Sequence, residues 1–488
     1  MAIPGQQFTI RDDGLGIVDV VSDRFLFVGP SSEGTSGRLY TISSPAQCVD
    51  ILGQGPLSEA VATFTSQAGS CLAMPITPSV VGSLGAVTKT GVGSSTGTVT
   101  VAGAPNDSYR AIFEVTVTGG LGDAEFRYSL DGGRTYSANI AIPAGGSYAV
   151  PNTGVTLTFA AGAGPTLFER GDVHSFTSVN PTLNPTDLAT AIAAVVADSA
   201  EFDVLVLCGT LANATNAATL FAALSAQLTT LETGFRFVGG VVDAASEDVA
   251  SSVRSEFASV TSNRVMALYG RGRLTSAKPF VGWSQPIYSG VGTLAARAAL
   301  LGLSGDLKRV ASGPLSTFTE LTHDERTATT GLDDIGITTF RTWLGRPGSY
   351  ITQGRIKSAD GSDFRLWPAR RVMDRAAKIV YERQQTFIGR RPRINPTNEI
   401  AAGRPGAGGT IAARDAAAYR AEVLSALRAA LLQPANADGN LGHVSALDYR
   451  IDLAFDVATN RAIRSVTRLV PLGTIDGVIT ELSFTLTL

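Results

Sequence analysis

The sequence predicts an α/β plus α+β multidomain fold: a discontinuous α/β domain with an inserted β-sandwich, then a C-terminal α+β domain, with extended arms at both ends. Three observations carry this expectation. Continuous apolar runs alternate with helical stretches on both sides of residues 86–179, the pattern of a largely parallel sheet covered on both faces. Within 86–179 the hydrophobic period changes to strict alternation, with Gly, Pro and Asn between short runs, as in a sandwich. Beyond about residue 331, helices precede β runs instead of alternating with them. A chain of 488 residues exceeds one core, and length alone suggests roughly three domains.

In chain order, residues 1–20 form a Gly-punctuated arm in which Phe8, Thr9 and Ile10 are strand-like. The α/β domain spans 21–85 and 180–330. Its first flank holds a strand at Phe25–Val28, a Gly/Ser-rich turn, a helix over 56–68 and a strand at Cys71–Ile76. The Gly/Ser/Thr stretch Thr88–Gly97 interrupts it, and strands follow near 98–102, 110–118, 124–130, 134–140, 155–160 and 172–178. The hairpin from Tyr128 to Tyr136 resembles the Asp-box turn of β-propellers, but no repeat accompanies it, so Asp131-Gly132-Gly133 reads as a turn former. The second flank runs helix 186–198, strand Asp203–Leu207, helix 213–231, strand Phe235–Val242, helix 246–259, strand Val265–Leu268 and helix 291–302.

The C-terminal domain, 331–474, begins with a strand near Tyr350–Arg355 and a helix over 367–388. The breaker-rich segments Arg390–Pro396 and Gly403–Gly409, a helix over 412–431 and β runs at 447–457 and 462–470 follow. A final strand, 475–488, places Leu482, Phe484, Leu486 and Leu488 on one face and Ser483, Thr485 and Thr487 on the other. An uncharged, proline-free strand of this kind aggregates unless another strand pairs with it. Its partner is a sheet of the same chain or one of a neighbouring copy.

Composition excludes several classes. At 44% hydrophobic and 17% charged residues the chain is globular rather than disordered. A net charge of −3 argues against a general nucleic-acid binder, which needs a basic balance. Cys48, Cys71 and Cys208 are odd in number and set in apolar runs, so they read as reduced core thiols. The first ten residues lack the pattern of a signal peptide, and no run of 18 uncharged apolar residues occurs, so synthesis in the cytoplasm without membrane insertion is expected.

Catalytic material is sparse. The spacing Gly91-x-Gly93-x-x-x-Gly97 is not that of a phosphate loop. His174, His323 and His443 fall in different predicted domains, which leaves little for a catalytic triad or multi-His metal site. Asp333-Asp334 and Glu320 with Asp324-Glu325 lack the hard-cation loop pattern and read as solvated faces. No catalytic residue, cofactor or metal is therefore expected.

Charge is uneven. Between Arg341 and Arg393 thirteen Lys/Arg stand against four acids, a net of +9, which leaves −12 for the rest. This is either a docking polarity or the solvated face of a helix carrying pairs such as Asp374 with Lys378.

The order of several motifs resembles that of the tail sheath proteins of contractile phage tails and related contractile injection systems. The likeness rests on 21–37 (VSDRFLFVGPSSEGTSG), 43–61 (SSPAQCVDILGQGPLSEAV), 345–351 (GRPGSYI), 362–378 (SDFRLWPARRVMDRAAK) and the terminal 479–488. Together with their surroundings these cover about half the chain from both ends, the β insertion being the variable part.

The resemblance implies a structural subunit that stacks in rings as a helical homo-oligomer around a tail tube protein, in a virion tail or contractile injection particle made in a bacterial cytoplasm. It further implies baseplate and tail terminator proteins as partners, a C-terminal domain forming the inner layer, and an outward-facing insertion. Terminal extensions would add strands to adjacent subunits, placing Phe8, Thr9, Ile10, Leu482, Phe484, Leu486 and Leu488 in inter-subunit sheets. The basic helix carrying Arg365, Arg370, Arg371, Arg375 and Lys378 is the expected tube-facing element. Contraction would relax a metastable assembly without nucleotide. The competing reading is a surface adhesin-like binding protein built on the β-sandwich; an enzyme comes third, for want of a nucleophile, base and orienter.

Overall fold

The computed structural model describes residues 23–91, 95–160, 162, 167–198, 200–210, 213–274, 287–395, 409–434 and 442–473. The arm and the final strand, with Phe8, Thr9, Ile10, Leu482, Phe484, Leu486 and Leu488, lie outside them. Two compact units emerge. One comprises residues from Asp23 to Leu301 and Leu307 to Arg371; the other contains Gly302–Asp306 and the chain from Val372 onward.

The first unit is built on an eight-stranded sheet. Its first flank supplies β1 (Phe25–Gly29), β2 (Tyr40–Ile42), α1 (Pro45–Leu52), α2 (Pro56–Ala68) and β3 (Cys71–Pro75). The insertion carries β4 (Ser83–Leu84), β5 (Thr88–Thr90), β6 (Thr98–Gly103), β7 (Arg110–Val117), β8 (Glu125–Ser129), β9 (Ile140–Ala141), β10 (Ser147–Val150), β11 (Val155–Ala160) and β12 (Val173–Val179). The second flank runs α3 (Pro185–Ala197), β13 (Val204–Leu207), α4 (Ala214–Thr233), β14 (Gly239–Asp243), α5 (Ala250–Phe257) and β15 (Val265–Tyr269). Then come β16 (Arg271–Leu274), β17 (Ile287–Ser289), α6 (Val291–Leu301), β18 (Phe318–Leu321), β19 (Thr338–Trp343) and β20 (Arg346–Ile351).

The strand order is β2-β3-β1-β13-β14-β15-β19-β20. The six central strands are parallel, and β2 and β20 are antiparallel edges. Strands β1, β13, β14 and β15 are buried along their whole length, as apolar runs covered on both faces must be. Leu26, Val28, Leu205 and Leu207 join the core formed with Leu188, Phe221, Leu228 and Phe257 of the helices. On the opposite face Phe25 and Phe27 meet Phe64 of α2, with ring centroids 5.1 and 5.2 Å apart. Gly292 of α6 lets that helix press on α2: a Cβ there would lie 2.4 Å from the Ala60 carbonyl oxygen.

Local chemistry explains the helix starts. Asn184 and Asp187 form a reciprocal capping box with Pro185 at the first helical position of α3, and Ser44 caps α1 ahead of Pro45. Sequence patterning places α2 and β11 at their observed limits but passes over α1, β2 and β10. The expected strand over 134–140 is instead bent and irregular up to the short strand Ile140–Ala141, although the Ser137 N–H still donates to the Tyr128 carbonyl.

The insertion consists of two antiparallel sheets, β10-β11-β6 and β4-β12-β7-β8-β9, with β5 also on β12. They close over one aromatic core containing Phe113, Phe126, Phe159, Phe168 and Phe176.

The expected domain boundary at 331 needs correction. Strands β19 and β20 complete the α/β sheet, and the second unit begins at Val372. β19 joins β15 in parallel through Leu268 and Thr338, a pairing across 70 positions that no local pattern announces. The 19-residue helix α7 (Trp367–Gln385) contains that boundary.

In the second unit, α8 (Ala413–Leu431) packs with the two-stranded sheet of β21 (Val444–Ile451) and β22 (Ser465–Pro471) around Ile379, Val423, Leu427 and Tyr449. The run expected over 447–457 stops at Ile451, and α9 (Val457–Asn460), capped by Asp456, intervenes. Among the described residues no helix is long and apolar enough to cross a membrane.

Candidate functional site

An open α/β sheet usually binds ligands beyond the carboxyl ends of its strands, where the strand order reverses. Here that point lies between β1 and β13, and the chain fills it. A Cβ on Gly29 would stand 2.7 Å from the Cys208 Cβ, and one on Gly209 would stand 2.8 Å from the Pro30 Cδ. The backbone packs closely there, and Glu247 at this end of the sheet meets the insertion through Ser108.

Four carboxylates gather beside that contact. Glu59 lies in α2, whose residues Pro56–Thr65 are all buried. Its carboxyl group shares a hydrogen bond with that of Asp107, from the segment that leads into β7, and Asp107 also accepts the Ser108 N–H at 2.8 Å. Glu247, between β14 and α5, accepts from Ser108 Oγ at 2.9 Å and pairs with Arg271 at 2.8 Å. Asp243, ending β14, accepts hydroxyls of Ser289 at 2.5 Å and Ser246 at 2.9 Å.

Burial dominates their electrostatics. It raises Glu59 well above the usual carboxyl range, helped by the negative charge and hydrogen bonding of Asp107. Burial lifts Asp107 to about 6 against the opposing hydrogen bond from Glu59, and lifts Asp243 to about 7 against its hydroxyl and amide donors. A cleft of about 240 Å³ opens beside them, lined by Ser108, Arg110, Asp131, Arg134, Glu247 and Arg271 among others. The cluster can hold protons; its hydroxyls donate to carboxylates and none is paired with a histidine. Sequence reasoning missed this group, although one signal was available: Glu59 is the one charged residue in the apolar helix 56–68.

The histidines occupy separate places. His174 is buried in β12, where burial and then Lys89 depress it to about 4. His323 holds Glu325 at 3.0 Å, and His443 Nδ1 lies 2.8 Å from Ser304 Oγ. Of the acids expected on solvated faces, Glu320 and Asp334 are exposed, and most of the group also ties loops. Glu325 accepts the N–H groups of Leu332 and Asp333, Asp324 accepts the Thr342 N–H, and Asp334 makes a two-point pair with Arg254. Among the described residues no group of three or more His, Cys, Asp and Glu is arranged to hold a metal. Asp131 takes Ser129 Oγ, Thr135 Oγ1 and the N–H groups of Arg134 and Thr135 into its own hairpin, with Gly132 and Gly133 at positive φ.

The basic helix does not present one face. Arg370 and Arg371 are buried, at 4% and 2% exposure. Arg371 grips Asp23 with Nε–Oδ2 at 3.1 Å and Nη2–Oδ1 at 2.9 Å, while Arg370 reaches Glu232, which also holds the fully buried Arg264. A tube-facing role for Arg370 and Arg371 is therefore corrected: their guanidinium groups bind acids of the α/β unit. Arg365 is exposed, and Arg375 and Lys378 are half-buried. Elsewhere in the basic run, Arg390 pairs with Glu422 at 2.9 Å and Arg341 stacks 3.9 Å over Trp343.

The family model described as the N-terminal domain of DUF2586 matches residues 3–355. No curated protein matches the chain. Similar solved structures include a sheath tail protein from Desulfitobacterium hafniense, at 14% identity and TM-score 0.44, covering 96% of this chain and 100% of that one. Another is a sheath tail protein from Listeria innocua, at 11% identity and TM-score 0.43, covering 92% and 95%. A third is the PVC sheath complex of an extracellular contractile injection system in its contracted state, at 10% identity and TM-score 0.49, covering 100% and 98%.

Proposed function

The chain belongs to the DUF2586 family, and within it we propose the role of a structural subunit of a contractile tail sheath. Copies polymerise through a head-to-tail contact that does not close, as a helical tube requires, around an inner tube. Contraction of that tube drives the inner one through a target cell envelope. The particle is a virion tail or a related injection device, with tube, baseplate and terminator proteins as partners and no nucleotide consumed by the sheath.

One observation carries the reading. The sequence stretches that resemble sheath proteins come from distant parts of the chain yet interlock: Asp23 of the first holds Arg371 of the fourth, and the third forms the edge strand β20. The first and third stretches and the start of the fourth thus share one unit rather than forming chance patches. Further support comes from the sheet β21-β22, which has two strands among the described residues and carries Val466 and Val470 at 48% and 52% exposure on β22. Such a ribbon has edges to which a strand like 475–488 of another copy can add. Arg365, two residues ahead of α7 rather than on it, and Arg375 and Lys378 of α7 remain the residues proposed to face the tube.

Negative-stain electron microscopy of the purified full-length protein tests the reading. Long hollow tubes are expected; discrete monomers under every condition would overturn it.

A further inference from the structure

Asp107 belongs to the insertion and Glu59 to the helix α2 beneath it, so their hydrogen bond ties two modules whose own cores are separate. The tie is set in a fitted joint. Gly55, at φ +124°, lets the start of α2 approach Asn106, whose carbonyl oxygen would lie 3.2 Å from a Cβ there. Tyr109 donates its hydroxyl to Asn106 Oδ1 at 2.5 Å, and its N–H to Ser178 Oγ at 2.7 Å. Ser108 Oγ accepts the Asn180 N–H at 3.1 Å while donating to Glu247.

Two carboxyls in hydrogen-bonding contact must share at least one proton, because the bond needs a donor. The other charged and titratable groups around them do not remove that need. Glu247 adds a third negative charge, Asp243 stands behind on β14, and Arg271 on β16 is the one cation among the groups that act on the pair. Tyr109 on β7, Tyr288 on β17 and the thiol of Cys208 are also coupled to it, and burial keeps all three protonated.

We propose that Glu59 and Asp107 form a proton-held latch that seats the inserted β module on the α/β sheet and loosens when the pair loses its shared proton. With both carboxylates charged, the joint would hold three close anions against Arg271, and the donor would be gone. A cleft lined by Ser108, Glu247 and Arg271 opens next to the residue that follows Asp107. The direction follows from linkage: Glu59 and Asp107 are both raised in the folded chain, so their contribution is fully present below the ordinary carboxyl range. It fades as pH rises through the folded values, about 6 for Asp107 and higher for Glu59.

Hydrogen exchange of the full-length chain, expressed as protection factors to remove the intrinsic pH effect, reads the joint at the amides of Tyr109 and Asn180. Amides of β1 serve as an internal reference. Protection at the joint is expected to fall about tenfold or more from pH 5 to pH 9 relative to β1, each unit of displaced pKa being a factor of ten. E59Q keeps a donor toward Asp107 without a titrating proton and is expected to hold the joint protected at both pH values. D107N removes one of the two charges and is expected to behave likewise; it serves if E59Q fails to fold. Unchanged protection in the wild type, or an undiminished fall in either variant, would overturn the latch.

Discussion

Arg371 and Asp23, 348 positions apart in sequence, form a two-point ion pair in which neither side chain is more than 9% exposed. Replacing Asp23 by Asn would take the negative charge out of a buried ion pair, and breaking such a pair costs about 3–5 kcal/mol in comparable sites. D23N is therefore expected to lower the unfolding midpoint sharply in denaturant titration. A change within error would mean that water or another acid compensates Arg371.

The same burial separates assembly from stability on the basic helix. Reversing Arg371 is expected to unfold the protein, whereas R365E, at an exposed position, is expected to leave circular dichroism and melting unchanged while reducing sheath formation on a tube. Normal tube-bound sheaths from R365E would remove the tube-facing proposal at that residue.

Removing residues 480–488 is expected to give soluble protein that no longer polymerises, read by sedimentation and electron microscopy. Tubes of full-length appearance from the truncated chain would mean that the last strand pairs within its own subunit.

At the crossing of α2 and α6, Gly292→Ala puts a methyl group where the Ala60 carbonyl oxygen already stands. Backbone cannot yield as a side chain can, so G292A is expected to cost about 1–3 kcal/mol. Gly302, where an added Cβ meets nothing within 4 Å, lies at φ +68° and is the control for backbone strain without crowding.

His174 gives the insertion a pH response of opposite sign to that of the latch. Its pKa falls to about 4 in the folded chain, so unfolded chains bind more protons between that value and the ordinary 6.5. Its contribution is present above about 6.5 and lost as pH drops toward 4. Thermal melts of H174Q are expected to be less acid-sensitive over that window than those of the wild type.

Much of the fold was legible because its signals are local. Pro56 and the apolar periodicity mark α2, Asn184-Pro185 marks α3, and the alternation Val155–Ala160 marks β11. What escaped depends on distant partners. Strands β19 and β20 look like the start of a new domain until Leu268 is placed beside Thr338. A helical stripe of arginines looks solvated until Asp23 and Glu232 are brought to it. The carboxyl pair of Glu59 and Asp107 needs a module boundary to be folded shut before it exists at all.

Strands β4 and β12 run antiparallel with Ser83 opposite Val179 and Leu84 opposite Ser178. The two ends of the insertion therefore leave the sheet side by side, as the poles of a plug leave a socket. Trimming the module back to this pair, or exchanging it for another with adjacent termini, would leave the geometry of β3 and α3 undisturbed. The inserted module can vary in size and character over evolutionary time while the layered α/β core keeps its own geometry.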